Sequence, residues 1–112
     1  MAWDEGEAEL LRGEFEAAAH LSEKAMFGGL VFLSDGNMLG GVMSQKTGGA
    51  IFRVGKAQMA EACALPEVDP MMMGGRAMSG FVGVTSDGLA DDETRRALAR
   101  MAVAFVRSLP PK

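Results

Sequence analysis

The first twenty residues place apolar side chains at helical spacing. Leu11 and Phe15 lie four positions apart and alanines follow one turn later, which is the period of a helix that buries one face. Asp4 followed by Glu7 is a capping-box pattern that marks a helix start. The pattern therefore predicts a first helix over residues 4–20.

Glycines and large apolar residues fill the next stretch and surround an Asp-Gly pair at positions 35–36. An Asp-Gly pair between apolar runs is a strong signal for a two-residue β-hairpin loop. With this pair as the loop, Phe32 faces Leu39 and Leu30 faces Gly41. Each strand glycine then lies opposite a large side chain, which limits the cost of glycine in a strand.

Further turns and periodic segments complete the expected order of elements. They are a strand over 50–54, a short helix over 56–64, a hairpin of 70–73 and 76–85, a turn at 86–88 and a helix over 91–109. Hairpin links favour antiparallel pairing, and the end helices must bury their apolar stripes on the sheet. The sequence predicts one α+β domain over residues 1–112. We expect a two-layer sandwich of order α-β(3)-α-β(2)-α, with a five-stranded antiparallel sheet and a loose tail after Leu109.

Composition excludes several classes of function. The chain is 48% hydrophobic and 23% charged with a net charge of −4, which suits a globular protein and opposes general attraction to nucleic acid. The single cysteine, Cys63, cannot form an intramolecular disulfide. An acidic start unlike a signal peptide and the lack of a long apolar run predict a cytoplasmic protein without a membrane span. Ten methionines and fifteen glycines are the unusual part of the composition.

Few residues are candidates for catalysis or cofactor binding. His20, the only histidine, is expected to cap the end of the first helix, where an imidazolium favourably meets the dipole. Cys63 is expected to be a small buried hydrophobe. The run 53–56 suggests a phosphate-binding turn, but alanine occupies two positions where a P-loop needs Gly and Ser or Thr. We therefore interpret Gly55 as a hinge and predict no catalytic residue, no cofactor and no metal.

Two groups of side chains allow a binding role as an alternative to a structural one. Met71, Met72, Met73 and Met78 carry thioethers that suit Cu(I), although packing beside glycine-rich strands is the interpretation we favour.

The last predicted helix carries Arg95, Arg96, Arg100 and Arg107, of which the last three fall on one side. A solvated face is the favoured interpretation, and a docking stripe for an acidic partner is the alternative.

Several segments, in order, resemble the N-terminal domain of the TfoX/Sxy competence regulators of bacteria. They include residues 23–29, 76–82 and the closing 104–112. The resemblance covers nearly the whole chain, and we identify it as a single-domain member of that family. It implies a two-layer fold like that of type III secretion chaperones and YjbR-like proteins. It also implies a role in transcriptional regulation of competence genes through partner proteins, with no known catalytic residue or cofactor.

These observations predict a non-enzymatic regulatory or protein-interaction domain. The candidate interaction residues are Lys24, Arg53 and Arg76, whose charge within apolar strands suggests an edge or rim position. We expect a protein partner and no direct binding of nucleic acid, and an exposed sheet edge would allow a homodimer. The alternative is a small-molecule-binding protein or enzyme with a pocket between the helices and the sheet.

Overall fold

The computed structural model describes residues 2–26 and 28–112. In that part of the chain, six strands form one antiparallel sheet that four α-helices accompany. The helices are α1 (Glu5–Phe15), α2 (Met59–Cys63), α3 (Ser86–Ala90) and α4 (Asp92–Arg107), and a 3-10 turn, Lys56–Gln58, leads into α2. The strands are β1 (Leu21–Met26), β2 (Gly29–Ser34), β3 (Asn37–Val42), β4 (Ala50–Arg53), β5 (Val68–Met73) and β6 (Arg76–Val84). The predicted α+β class is confirmed, and the predicted count of five strands is one too low.

The strands lie in the order β1-β2-β3-β4-β6-β5, so β1 and β5 form the edges. Helix α4 contacts the other three helices as well as β3 and β4. The helical layer therefore lies on one face of the sheet, and we call the other face the open face. None of the helices in the described residues is long and apolar enough to span a membrane.

The core between helices and sheet is built on aromatic rings. Phe15 of α1 lies with its ring centroid 5.8 Å from that of Phe32 and 6.0 Å from that of Phe52. These three rings and Leu98 of α4 are fully buried. Burying a side chain of this size contributes about 1.5–3 kcal/mol, so the apolar stripes of α1 and α4 hold the two layers together.

The sequence prediction missed strand β1. Four of its six residues are exposed, so no alternation of apolar and polar positions marks it. Backbone pairing with β2 from Leu21 to Met26 holds it in place. To reach this strand the chain leaves α1 at Phe15 rather than at residue 20. His20 therefore lies in the turn before β1, with a φ of 48°, and does not cap the helix as predicted.

The predicted register of the β2–β3 hairpin is correct at its loop and wrong beyond it. Asp35 and Gly36 have φ values of 50° and 79°, which a two-residue loop of this type requires. A bulge then shifts the pairing by one residue, so that Phe32 faces Gly40 and Val31 faces Gly41. A bulge adds one unpaired residue to one strand, and no local signal in the sequence marked it.

Two further predictions were wrong near the end of the chain. Residues 86–88 begin α3 instead of forming a turn, because the Thr85 side chain accepts a hydrogen bond from the Gly88 amide at 3.2 Å and caps the helix. The tail after Leu109 is held rather than loose, since the Asn37 side chain donates to the Pro110 carbonyl at 3.0 Å. Phe27, part of the family-like segment 23–29, lies outside the described residues.

Candidate functional site

Glycines allow the strands of the sheet to approach one another closely. A Cβ on Gly29 would lie 2.2 Å from the carbonyl oxygen of Val42, and one on Gly40 would lie 2.4 Å from that of Ile51. Real Cβ atoms do not approach other atoms within 3.0 Å, so these positions exclude every other residue unless the backbone moves. The glycine excess is therefore partly a requirement of tightly bent strands.

The open face of the bent sheet encloses a cavity of about 260 Å³, which we call the methionine cavity. In a flat sheet, five spacings of ~4.8 Å would separate the edge strands by about 24 Å. Yet Met26 of β1 and Met71 of β5 line the same cavity, so the sheet is strongly curved. Of the nine methionines that the structure describes, six line this cavity: Met26, Met38, Met43, Met71, Met73 and Met78.

Met71 fills space that Gly83 leaves, as the sequence interpretation expected of methionines beside glycine-rich strands. The Met71 sulfur lies 3.4 Å from where a Cβ on Gly83 would stand. Flexible, unbranched methionine adapts to such irregular walls. Met73 is 64% exposed although it lines the cavity, so solvent reaches the cavity past this side chain.

The three predicted interaction residues flank the methionine cavity. Each pairs across strands with a residue that lines it: Lys24 with Val31, Arg53 with Phe81 and Arg76 with Met73. Residues directly opposite each other in antiparallel strands project from the same face. All three side chains therefore leave the sheet on its open face, although the Arg53 guanidinium also contacts the Phe105 ring of α4 in the helical layer. They are not one cluster, because Lys24 is on β1 and Arg53 is on β4, three strands away.

Lys24 lies on the edge strand β1, but the strands of Arg76 and Arg53, β6 and β4, lie inside the sheet. Arg53 is therefore not on the edge strand that its charge suggested. Its guanidinium carbon lies 5.8 Å from the ring centroid of Phe81 and 5.3 Å from that of Phe105. Cation–π contacts of this kind accommodate a charge beside apolar residues. Gly55 follows with a φ of 84°, and a Cβ there would stand 2.3 Å from the Phe105 ring. The prediction that Gly55 forms the turn from strand to helix is confirmed.

A second depression lies on the helical layer, where α4 meets the turn after α1. We call it the arginine groove: its volume is about 610 Å³, with Ala17, Ala18, Ala99 and Val103 in its apolar lining and Arg96, Arg100 and Arg107 among its polar residues. The three arginines are exposed. Within the described residues, none of them forms an ion pair.

The family model of the TfoX N-terminal domain matches residues 14–106, from within α1 to within α4. The chain belongs to this family. The matched residues include the whole sheet of this TfoX domain, and with it the methionine cavity. No curated protein and no solved structure matches the chain significantly.

In this TfoX domain, Arg95 is separate from the arginine groove, although the sequence interpretation grouped it with the other arginines. Its side chain is only 7% exposed. It donates to Glu14 at 2.9 Å, to Asp92 at 2.7 Å and to the Leu89 carbonyl at 2.9 Å. Burial opposes its charge, but these carboxylates raise the pKa of Arg95. Arg95 thus joins α1, α3 and α4.

A signal for this role was present in the sequence. Arg95 lies three positions before Leu98 and four before Ala99, which puts it on the buried stripe of the helix rather than on its solvated side.

The two candidates for nucleophilic chemistry lie outside both depressions. Cys63 is partly buried in α2, and burial together with the nearby Asp69 raises the pKa of its thiol. A thiol with a raised pKa is a poor nucleophile at neutral pH. His20 is exposed, and its Nδ1 contacts the carboxylate of Asp35. Neither residue lines the methionine cavity or the arginine groove.

Proposed function

We propose that this TfoX domain is a protein-interaction module and that its arginine groove binds an acidic amphipathic helix of a partner protein. The observation that carries this proposal is the set of three exposed arginines beside an apolar lining. In the family context, such a partner would act in transcriptional regulation in the cytoplasm, and the domain itself would not be an enzyme.

Charge in the groove favours an acidic partner. Arg96 and Arg100 are one turn apart on α4, so their guanidinium groups can meet carboxylates one turn apart on another helix. Glu14 also lines the groove, but its carboxylate is already bound by the buried Arg95. The groove is therefore cationic in a chain whose net charge is −4.

The lining of the groove favours a helix as the occupant. Ala17, Ala18 and Ala99 carry short side chains, which leave room for the ridge of a second helix. Helix-in-groove recognition places an apolar stripe on such a surface and polar side chains along its borders. Acidic residues beside an apolar stripe would match both features.

A synthetic amphipathic helix of about 16 residues, long enough to be partly helical alone, tests this proposal. One face carries Ala and Leu and the borders carry Glu, and the control peptide carries Gln in place of Glu. We expect the Glu peptide to bind the domain in fluorescence anisotropy, with an affinity that falls as salt rises. The triple variant Arg96→Gln/Arg100→Gln/Arg107→Gln should bind it about tenfold more weakly or worse, since charged hydrogen bonds are lost.

The matched control removes the same number of charges from the open face, in Lys24→Gln/Arg53→Gln/Arg76→Gln. This variant should bind the Glu peptide as the original domain does. An equal loss of affinity for the Glu peptide in both triple variants would show a general effect of charge. That result would contradict binding in the arginine groove. Tighter binding to duplex DNA than to the Glu peptide would favour nucleic acid over protein as the partner.

A further inference from the structure

We propose that the methionine cavity binds an apolar monocarboxylate, such as a medium-chain fatty acid, with its chain among the methionines and its carboxylate toward the flanking cations. This site lies on the open face of the sheet and is independent of the arginine groove.

The size of the cavity selects a small ligand. Its volume is about 260 Å³, and at about 30 Å³ for each non-hydrogen atom, the share of a water molecule in the liquid, it holds roughly nine atoms. An α-helix with side chains is ~10–12 Å across and cannot enter such a space. An alkyl chain of about eight carbons fits it.

The lining suits a flexible chain. Besides the six thioether side chains, Val31, Ile51 and Phe81 contribute apolar walls. Unbranched methionine side chains repack around ligands of different shape. The polar residues are Ser44 and Thr47, which lie in the β3–β4 connection rather than on the strands. The part of the lining that the strands contribute is therefore apolar.

The flanking charges select an anion over a cation or a neutral head group. Lys24, Arg53 and Arg76 do not line the cavity, but each pairs across strands with a residue that does. Asp69 also projects from the open face, opposite Gly83, but Gly83 does not line the cavity. The surroundings of the cavity on this face therefore include these three cations and Asp69, which lies two residues before the lining residue Met71. A carboxylate at the opening of the cavity would therefore meet more positive than negative charge.

Calorimetric titration with octanoate tests the proposal. We expect saturable binding, weakened about fourfold for each methylene removed on going to hexanoate and butyrate. Octan-1-ol should bind more weakly and octylammonium more weakly still. The variant Lys24→Gln/Arg53→Gln/Arg76→Gln should lose about tenfold in octanoate affinity and keep its affinity for octan-1-ol, whereas Arg96→Gln/Arg100→Gln/Arg107→Gln should bind octanoate normally.

Protection of methionine from oxidation locates the bound ligand in the original domain, without any substitution. Met73 lines the cavity and is 64% exposed, whereas its neighbour Met72 is 54% exposed and does not line it. Octanoate should slow peroxide oxidation of Met73, measured by mass spectrometry, and leave Met72 unchanged. Equal protection of both residues, no saturable binding of octanoate, or equal affinity for octanoate and octan-1-ol would overturn the proposal. Failure of the Glu peptide to bind would leave it intact, because that peptide tests only the groove.

Discussion

The two faces of the sheet are made by the same strands and have opposite properties. In β4, Phe52 points into the helical layer and is fully buried, while its neighbour Ile51 points to the open face and lines the methionine cavity. The helix side is packed by rings and branched chains with few alternative arrangements. The open side is lined by flexible methionines over glycine-rich strands. The contrast assigns stability to the helix side, and we propose adaptable binding for the open side.

The largest effect should come from comparing these two neighbours in β4. We expect Phe52→Ala to lower the free energy of unfolding by about 4 kcal/mol, because it leaves a cavity among the packed rings. Ile51→Ala should cost about 1–2 kcal/mol, since this side chain already borders a cavity. Urea denaturation measures both. Similar losses would show that the open face contributes to stability as much as the core does.

A second comparison concerns two adjacent arginines of α4. Arg95→Met should lower the free energy of unfolding by about 3 kcal/mol, because the carboxylate of Glu14 loses its partner in a mostly buried position. Arg96→Met should change it by less than about 0.5 kcal/mol, because the side chain is exposed. Thermal unfolding of the two variants measures the difference. A stable Arg95→Met protein would contradict the role of Arg95 in joining three helices.

Glycines of the open face should tolerate substitution less well than a helical one. A Cβ on Gly41 would lie 2.7 Å from the Leu30 carbonyl oxygen, whereas one on Gly13 of α1 would have no atom within 4 Å. We expect Gly41→Ala to cost about 2 kcal/mol through displaced backbone. Gly13→Ala should stabilise the domain by about 1 kcal/mol, as alanine favours helix. Chemical denaturation compares them, and a gain in both would argue against close strand approach.

The smallest effect should be a pH dependence at the edge strand. Arg12 of α1 donates to Glu23 of β1 at 2.6 Å and 2.9 Å, and these hydrogen bonds lower the pKa of Glu23 from its ordinary value of 4.5. A lowered carboxyl pKa contributes stability above pH 4.5 that is lost as pH falls through the folded-state value.

Glu23→Gln should therefore be less stable than the original domain at neutral pH, by less than about 1 kcal/mol because the pair is partly exposed. The difference should shrink as the solution is acidified below pH 4.5. Thermal unfolding across pH measures it. A difference that grows on acidification would contradict the assignment.

Local signals predicted much of the fold. The cap at Asp4 and the loop at residues 35–36 each combine a residue type with a fixed backbone geometry, and the structure contains both. Strand β1 was not predicted because four of its six residues are exposed and it therefore shows no apolar alternation. The bulge in β2–β3 was not predicted because no residue type in this hairpin marks its position.

The candidate site was predictable only in part. Charge within apolar strands singled out Lys24, Arg53 and Arg76, but their common face depends on a register that a single bulge can invert. The methionine excess was visible in the composition. That six methionines meet in one cavity depends on the curvature of the whole sheet, which no segment of the sequence encodes alone.

Methionine oxidation in the free domain tests the contrast between the faces most directly. Met101 of α4 is buried in the core at 7% exposure, whereas Met38 and Met43 line the cavity of the open face. After brief treatment with peroxide at neutral pH, peptide mass spectrometry should find Met38 and Met43 oxidised well before Met101. Oxidation of Met38 and Met43 as slow as that of Met101 would show that the open face is closed, and would contradict the account.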